Sequence, residues 1–332
     1  MQIRNVKILG TGKYLPARRI YSDEMDRRLG TPDGWTLRKT DVRVRHFADG
    51  ETASAMGAAA AEEALKDAGL KLSDIDCLVC TSGTAEQPIP STGSLIQKAM
   101  GGEDSGTPSF DVNSTCLSFL TGFDLLSYLV EAGRYERVLL VSTEIASVGL
   151  NWNHKESGAL FGDGAAAVVI GRSAEEEDSR IICSRMETYS KGARYSEIRG
   201  GGTRIHPREH GPGREEDFLF HMDGKAIFKM AAKLLPSFVD KLLRPAGLSM
   251  ADIQHVIPHQ GSAMAMRLIT SRLGISQEQL VYITPNHGNT IAASIPMGLH
   301  EAAVQGRMKR GDRVLLLGTS AGLSLGGMVL VY

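Results

Sequence analysis

A chain of 332 residues with 42% hydrophobic and 23% charged side chains has an ordinary globular composition, long enough for two domains or one large duplicated one. Its net charge of −1 gives no bulk electrostatic case for nucleic acid or an anionic membrane as main partner, and four cysteines are too few to need a disulfide framework. No apolar stretch approaches the ~20 residues of a transmembrane helix. The opening MQIRNVKILGTGKYLP lacks a charged segment leading into an apolar run and a cleavage site, so a cytoplasmic protein is expected.

Along the chain, Ile3–Leu9 alternates as a strand does and runs into Gly10-Thr11-Gly12, which lacks the third glycine of a dinucleotide loop. The basic cluster Arg38, Lys39, Arg43 and Arg45 reads as a solvated face. Thr52–Ala68 is an alanine-rich helix stopped by Gly69, and Ile75–Cys80 is a buried strand. The CxxC of Cys77 and Cys80 lies within that strand instead of opening a helix, and no second pair exists for zinc, so both read as core. A short helix over Ser91–Met100 and a strand over Pro108–Val112 follow, then a helix over Leu117–Ala132 and an apolar strand over Arg137–Ser142. Phe161–Ile170 is a turn into another strand. Ser190–Asp217, rich in Gly, Arg and His, is a long loop of the kind that usually carries function.

Cys116 draws the eye in this order. Ser114 and Thr115 are good N-cap residues, so Cys116 is expected in the first turn of a helix. Free N–H groups and the positive end of the helix dipole would favour its thiolate, making it a candidate nucleophile for carrying an acyl group as a thioester. Cysteine is also a common small core residue, and residue type alone does not separate the two readings.

The second half repeats the first. AGL followed by DI recurs at Ala68 and Ala246, 178 residues apart, and RVLLVST at Arg137 recurs as RVLLLGT at Arg313, 176 apart. Two matches at nearly one offset predict a duplicated α/β unit rather than a solenoid, divided into residues 1–174 and 175–332. The same offset carries Cys116 to 292–294, inside NHGNTIAASIP, and the strand end at Cys80 to the neighbourhood of Pro258-His259-Gln260. The two halves therefore place polar residues at equivalent strand ends, where ligands bind in such sheets.

Cys116, His259 in PHQ and Asn289 in HGNT resemble the Cys-His-Asn triad of the β-ketoacyl-acyl-carrier-protein synthase III family of the thiolase superfamily. TPDGW, FGDGAAAV, GGTRIHP, MDGKAIFKMA and HGNTIAASIP extend the likeness over essentially the whole chain. The resemblance implies a thiolase-like fold, two duplicated α/β halves packed as an αβαβα sandwich. It also implies an acyltransferase that loads an acyl group from acyl-CoA onto Cys116. A malonyl thioester, on carrier protein or CoA, then decarboxylates, with His259 and Asn289 donating to its thioester oxygen. It implies an oxyanion hole from the N–H groups of Cys116 and Gly322, no cofactor and no metal. CoA would be met by Thr31, Trp35, Lys39, Lys155 and Lys225.

Several positions depart from the family pattern. Lysines at 39 and 155 stand where arginines are usual and lose the planar stacking surface. The run Gly261-Ser262-Ala263-Met264 lacks the arginine that helps receive the carrier protein. Ile89, where the resemblance has a residue reaching across a homodimer into the partner's acyl pocket, is smaller than the Phe of acetyl-selective members and implies a medium-chain primer. Head-to-head condensing relatives carry a glutamate base there; Glu86 is nearby, so that route and a secondary-metabolism acyltransferase are the alternatives. Gly318-Thr319-Ser320-Ala321-Gly322 satisfies GxSxG, but the last histidine, His300, precedes Ser320, contrary to the order in α/β-hydrolases.

Overall fold

The computed structural model describes residues 3–332. The first half contains β1 (Val6–Tyr14), β2 (Arg18–Tyr21), α1 (Ser22–Leu29), α2 (Trp35–Thr40), β3 (Val44–Phe47), α3 (Ala53–Ala68) and β4 (Cys77–Cys80). It continues with α4 (Thr92–Ala99), β5 (Ser109–Asp111), α5 (Ser118–Glu131), β6 (Arg137–Glu144), α6 (Lys155–Gly158) and β7 (Gly164–Arg172). The second half contains β8 (Arg180–Thr188), β9 (Ser196–Glu197), β10 (His221–Met222), α7 (Gly224–Leu243), β11 (His255–Pro258) and α8 (Ala263–Leu273). It ends with α9 (Thr284–His287), α10 (Ser294–Val304), β12 (Arg313–Ser320) and β13 (Ser324–Val331).

Two sheets divide these strands. The first has the order β1-β7-β6-β4-β5 and the second β11-β12-β13-β8. In each, the innermost repeat strands pair in parallel, β4 with β6 and β11 with β12, and the next strand turns antiparallel. β5 has only an abbreviated counterpart, a single bridge from Val256 to Leu280. Three apolar clusters account for five layers. α3 and the Ile96 side of α4 cover the outer face of the first sheet. α7 and α8 cover the second. α5 and α10 lie between the sheets, where Leu117, Phe119, Phe123, Ile295, Met297 and Leu299 meet side chains of both. This is the thiolase-like αβαβα sandwich that the sequence implied.

The central layer repeats in detail. α5 follows a single 3-10 turn, Thr115–Leu117, and α10 follows another, Ile291–Ala293. Thr115 and Ile291, each at the head of its turn, both have positive φ, 51° and 49°. Ordinary side chains rarely adopt that conformation, and such strain concentrates at functional sites.

β1 begins at Val6 and runs to Tyr14, beyond the Ile3–Leu9 expected. Gly10 and Gly12 lie within it, and there they serve helix packing, not a phosphate loop. A Cβ at Gly10 would stand 2.4 Å from the Ala64 carbonyl oxygen, and one at Gly12 would stand 2.3 Å from that of Ala60. The alanine-rich α3 therefore sits directly on the strand. Arg45 also departs from its expected place on a solvated face. It is fully buried, and its Nη1 donates to the Ala159 carbonyl. No helix among the described residues is long and apolar enough to cross a membrane. Substituting Gly12→Val should cost about 3 kcal/mol, because the obstacle is helix backbone that cannot rotate away; denaturant unfolding measures this, and a loss below about 0.5 kcal/mol would show that α3 is not seated on β1.

Candidate active site

The site lies where both 3-10 turns and the loops after β4 and β11 meet. β5 ends at Asp111, whose carboxylate accepts the N–H groups of Thr92 and Gly93 at 2.8 and 2.7 Å and pins the strand end to α4. The chain then turns through Asn113, whose Oδ1 accepts the Thr115 N–H at 2.8 Å. Cys116 sits in the 3-10 turn, one step before α5, instead of in that helix's first turn. Ser118 closes this turn: its hydroxyl accepts from the Ser114 N–H and lies 2.6 Å from the Thr115 carbonyl. A Cβ at Gly83 would collide with Ile291 at 2.8 Å and crowd the Thr115 carbonyl at 3.3 Å, so the β4 loop and both turns touch there.

His259 follows β11, and Asn289 follows α9. Gly318 in β12 brings His259 against the turn carrying Cys116: a Cβ there would stand 2.8 Å from His259 Cβ and 3.0 Å from Leu117 Cδ2. Asn289 Nδ2 donates to the Gly261 carbonyl at 3.1 Å, and Asn289 Oδ1 accepts the Ile291 N–H at 2.9 Å, so its amide is oriented from both ends. Its backbone bridges Phe161: the Asn289 N–H donates to the Leu160 carbonyl, and the Gly162 N–H donates to the Asn289 carbonyl. The FGDG turn is thereby part of the support for Asn289. His287 faces away, with Nδ1 at 3.0 Å from the Ile283 carbonyl and Nε2 at 3.3 Å from Glu301.

The electrostatics run against the sequence expectation for Cys116. Burial, with the carboxylate of Glu144 nearby, pushes its thiol up to about 12. The α5 dipole starts a turn later and does not reverse this. Burial pushes His259 down to about 4. The site therefore holds a neutral thiol and a neutral imidazole at pH 7. Glu144, fully buried, accepts from the N–H groups of Gly83 and Thr84, the Thr84 hydroxyl and the Ala292 N–H. Burial still raises it to about 7 against those four donors. Sequence reading missed Glu144; its signal was a carboxylate ending the apolar strand RVLLVSTE.

Backbone N–H groups of Cys116 itself and of Ala321 favour its thiolate without outweighing burial. The second is one residue before Gly322, the donor expected. Ser320 lies in the β12–β13 hairpin, not on a strand-to-helix elbow. Among the described residues no group of three or more His, Cys, Asp or Glu could hold a metal ion.

The CoA-contact candidates are spread over two places. Thr31 donates to Asp26 Oδ1 at 3.0 Å, Trp35 packs on the cluster around Leu29 and Phe161, and Lys39 is exposed on α2. Lys155 Nζ donates to the Gly30 carbonyl at 3.1 Å. Beside them Arg28 stacks on Trp152, its guanidinium carbon 3.5 Å from the ring centroid, a contact that no sequence spacing announces. Lys225 lies on α7, along a groove of about 680 Å³ lined by Phe228, Lys229, Lys233, Pro236 and Arg272. Ile89 is 84% exposed at a loop tip. Glu86 is tied down, accepting the Ser54 N–H at 2.6 Å.

Comparison with known proteins identifies the family. Residues 110–190 match the family model described as 3-oxoacyl-[acyl-carrier-protein (ACP)] synthase III, and residues 243–332 match the model of its C-terminal part. The structure is similar to the crystal structure of 3-oxoacyl-[acyl-carrier-protein] synthase III from Aquifex aeolicus VF5, with a TM-score of 0.88 and 30% identity, covering 98% of this chain and 100% of that one. It is also similar to the priming β-ketosynthase of the R1128 polyketide pathway, with a TM-score of 0.89 and 26% identity over 99% and 96% of the two chains. These define a thiolase-fold condensing enzyme. A β-ketoacyl-[acyl-carrier-protein] synthase III of Thiobacillus denitrificans is 35% identical over 98% of this chain and 99% of its own length. The chain belongs to the β-ketoacyl-[acyl-carrier-protein] synthase III family and is an acyltransferase of that condensing type.

A thiol raised by burial and a neighbouring carboxylate makes a direct prediction. Alkylation of Cys116 in the free enzyme should keep accelerating from pH 7 to beyond pH 9 without a plateau, since only the thiolate reacts. Glu144→Gln should shift that profile to lower pH, because one source of negative charge is gone. A plateau near neutral pH in the wild type would mean that the turn stabilises the thiolate after all.

Proposed function

We propose that this enzyme catalyses an acyl-CoA-primed, decarboxylating Claisen condensation with a malonyl thioester in fatty acid synthesis. The observation that carries the reading is the meeting of Cys116, His259 and Asn289 beside the Ala321 N–H. The acyl group passes from the CoA sulfur to Sγ of Cys116, and the thiol proton leaves on CoA. The N–H groups of Cys116 and Ala321, instead of Gly322, hold the carbonyl oxygen as it gains charge. The malonyl thioester then loses CO₂. Its enolate carbon attacks the acyl carbonyl, and the Cys116 sulfur leaves and takes up a proton. Asn289 has one amide N–H committed to Gly261 and a second for the thioester oxygen, which it shares with His259. The residues present need no cofactor for these steps.

CoA is proposed to enter past Thr31, Trp35, Lys39 and Lys155, with Arg28 on Trp152 supplying the planar cation that lysines at 39 and 155 lack. The Ser190–Asp217 loop would flank that entrance. Lys225, Lys229 and Lys233 recur every four residues along one face of α7 and, with Arg272, form a positive groove that would steer an acidic carrier protein bearing the malonyl group. That groove compensates for the uncharged Met264.

A second copy of the chain completes the acyl pocket in this account. β5 is an edge strand with an open side, and exposed Phe110, Leu125 and Leu129 share its half of the molecule with Ile89. A two-fold axis there would bring Ile89 into the partner's site. Its modest size supports a medium-chain primer. The engagement of Glu86 with Ser54 weighs against the head-to-head alternative, which needs a free carboxylate at the site.

Incubation of the wild type and Cys116→Ala with acyl-CoAs from acetyl to dodecanoyl should give a single acyl mass increase on wild type only, greatest near octanoyl and discharged by malonyl carrier protein. No adduct at any chain length would refute the reading, and best loading by acetyl-CoA would refute the medium-chain part. Ile89→Trp should shift the preference to acetyl, and Phe110→Asp should give an inactive monomer in a sizing experiment. A fully active monomer would contradict the shared pocket.

A further inference from the structure

The reading above needs His259 to do two things: present a nitrogen to the reacting atoms and be held in one tautomer while doing so. His259 Nδ1 lies 2.7 Å from the Ser294 hydroxyl oxygen, both residues being buried. That hydroxyl has one proton and two lone pairs. It accepts from the Gln260 N–H at 3.3 Å, and it lies 2.9 Å from the Ile291 carbonyl, which can only accept. With the hydroxyl proton on the Ile291 carbonyl, a bare Nδ1 would face only lone pairs, whereas a protonated Nδ1 finds an acceptor in the hydroxyl oxygen.

The internal repeat supports this direction independently. Ser118 is the first-half equivalent of Ser294, 176 residues earlier, at the same place after the equivalent turn. The Ser118 hydroxyl accepts one N–H, from Ser114, and has only carbonyls left to donate to, those of Thr115 and Ser82 at 2.6 and 3.0 Å. The carbonyl three residues back is thus the hydroxyl's acceptor in both halves. In the second half that arrangement frees a lone pair for the histidine.

We infer that Ser294 is a positioning residue that holds His259 as the Nδ1–H tautomer, so that neutral His259 offers Nε2 as a proton acceptor. Nε2 lies on the Gly261 side, where a Cβ would stand 3.4 Å from it and where the Asn289 amide is anchored. In the resting site Asn289 is therefore the side-chain donor, and His259 becomes one after taking a proton at Nε2. The proton balance of the condensation fits. During acyl transfer Nε2 accepts the Cys116 thiol proton and returns it to the departing CoA thiolate. During condensation, which consumes one proton overall, Nε2–H from solvent hydrogen-bonds the enolate oxygen and then passes its proton to the Cys116 thiolate as that leaves.

This inference rests on the condensation reading, and two measurements separate them. Nitrogen NMR of histidine-labelled full-length enzyme, with the His259 signals assigned by their loss in His259→Gln, reads the tautomer without any substrate. The expected result is a protonated Nδ1 and a bare Nε2 at pH 7, and a mixed or reversed pattern in Ser294→Ala. A wild-type spectrum with the proton on Nε2 would overturn the inference, whatever the enzyme condenses. In kinetics, Ser294→Ala should lower kcat with a malonyl thioester by about tenfold or more, with KM nearly unchanged, and Ser294→Thr should restore most of the rate. Ser294→Ala with wild-type spectrum and rate would also overturn it. Failure of the wild type to load or condense any acyl group would instead refute the condensation reading and leave the tautomer result standing.

Discussion

One buried carboxylate joins the two halves at the point where the chemistry happens. Glu144 ends β6 and collects donors from the loop after β4 and from the turn after Asn289. Removing one partner from a buried hydrogen-bonded junction of this kind typically costs about 1–3 kcal/mol, because the remaining groups stay dry and unpaired. The loop after β4 that leads to Ile89 and the turn after Asn289 both bond to it, and the Cys116 turn packs on that loop at Gly83. The two sheets could pack on α5 and α10 through apolar contacts alone, but those contacts are tolerant of small shifts. The hydrogen bonds to Glu144 are directional, and they fix the loop after β4 against the turn that begins at Ile291.

The same carboxylate has an electrostatic cost. It helps keep the Cys116 thiol protonated, while burial keeps His259 neutral. Keeping both reacting groups neutral adds no further buried charge beside Glu144 before substrate arrives. In the proposed reaction charge develops only during turnover, where Asn289, the N–H groups of Cys116 and Ala321, and His259 once it has taken a proton at Nε2 would meet it. Preorganised dipoles around a dry, neutral site are an effective way to stabilise a transition state that is more charged than its reactants.

Much of this was legible in the sequence because the chain is duplicated. The two repeat offsets, 176 and 178, placed residues 292–294 opposite Cys116, and the structure has matching turns there, down to the positive φ at Thr115 and Ile291. Strand positions followed from apolar runs, and the helices expected from Thr52 and Ser91 do start there, with those side chains as caps. What the sequence hid were features fixed by tertiary contact. Gly10 and Gly12 looked like a loop because the helix they accommodate is distant in the chain. Arg45 looked solvated because nothing local shows that Ala159 covers it. Cys116 looked activated because local capping rules cannot foresee a separate 3-10 turn or the burial that outweighs the dipole. Ala321 and Gly322 cannot be told apart as oxyanion donors by residue type, since the group concerned is backbone.

Everything proposed for Cys116 depends on where an acyl group sits once it is attached. A crystal structure of the enzyme trapped with a saturated acyl chain would test this most directly. The predicted result is a thioester on Sγ of Cys116, with its carbonyl oxygen within hydrogen-bonding distance of the N–H groups of Cys116 and Ala321. The chain should run toward Ile89 of a partner copy. An acyl group on another residue, or a carbonyl oxygen turned away from both N–H groups, would contradict it.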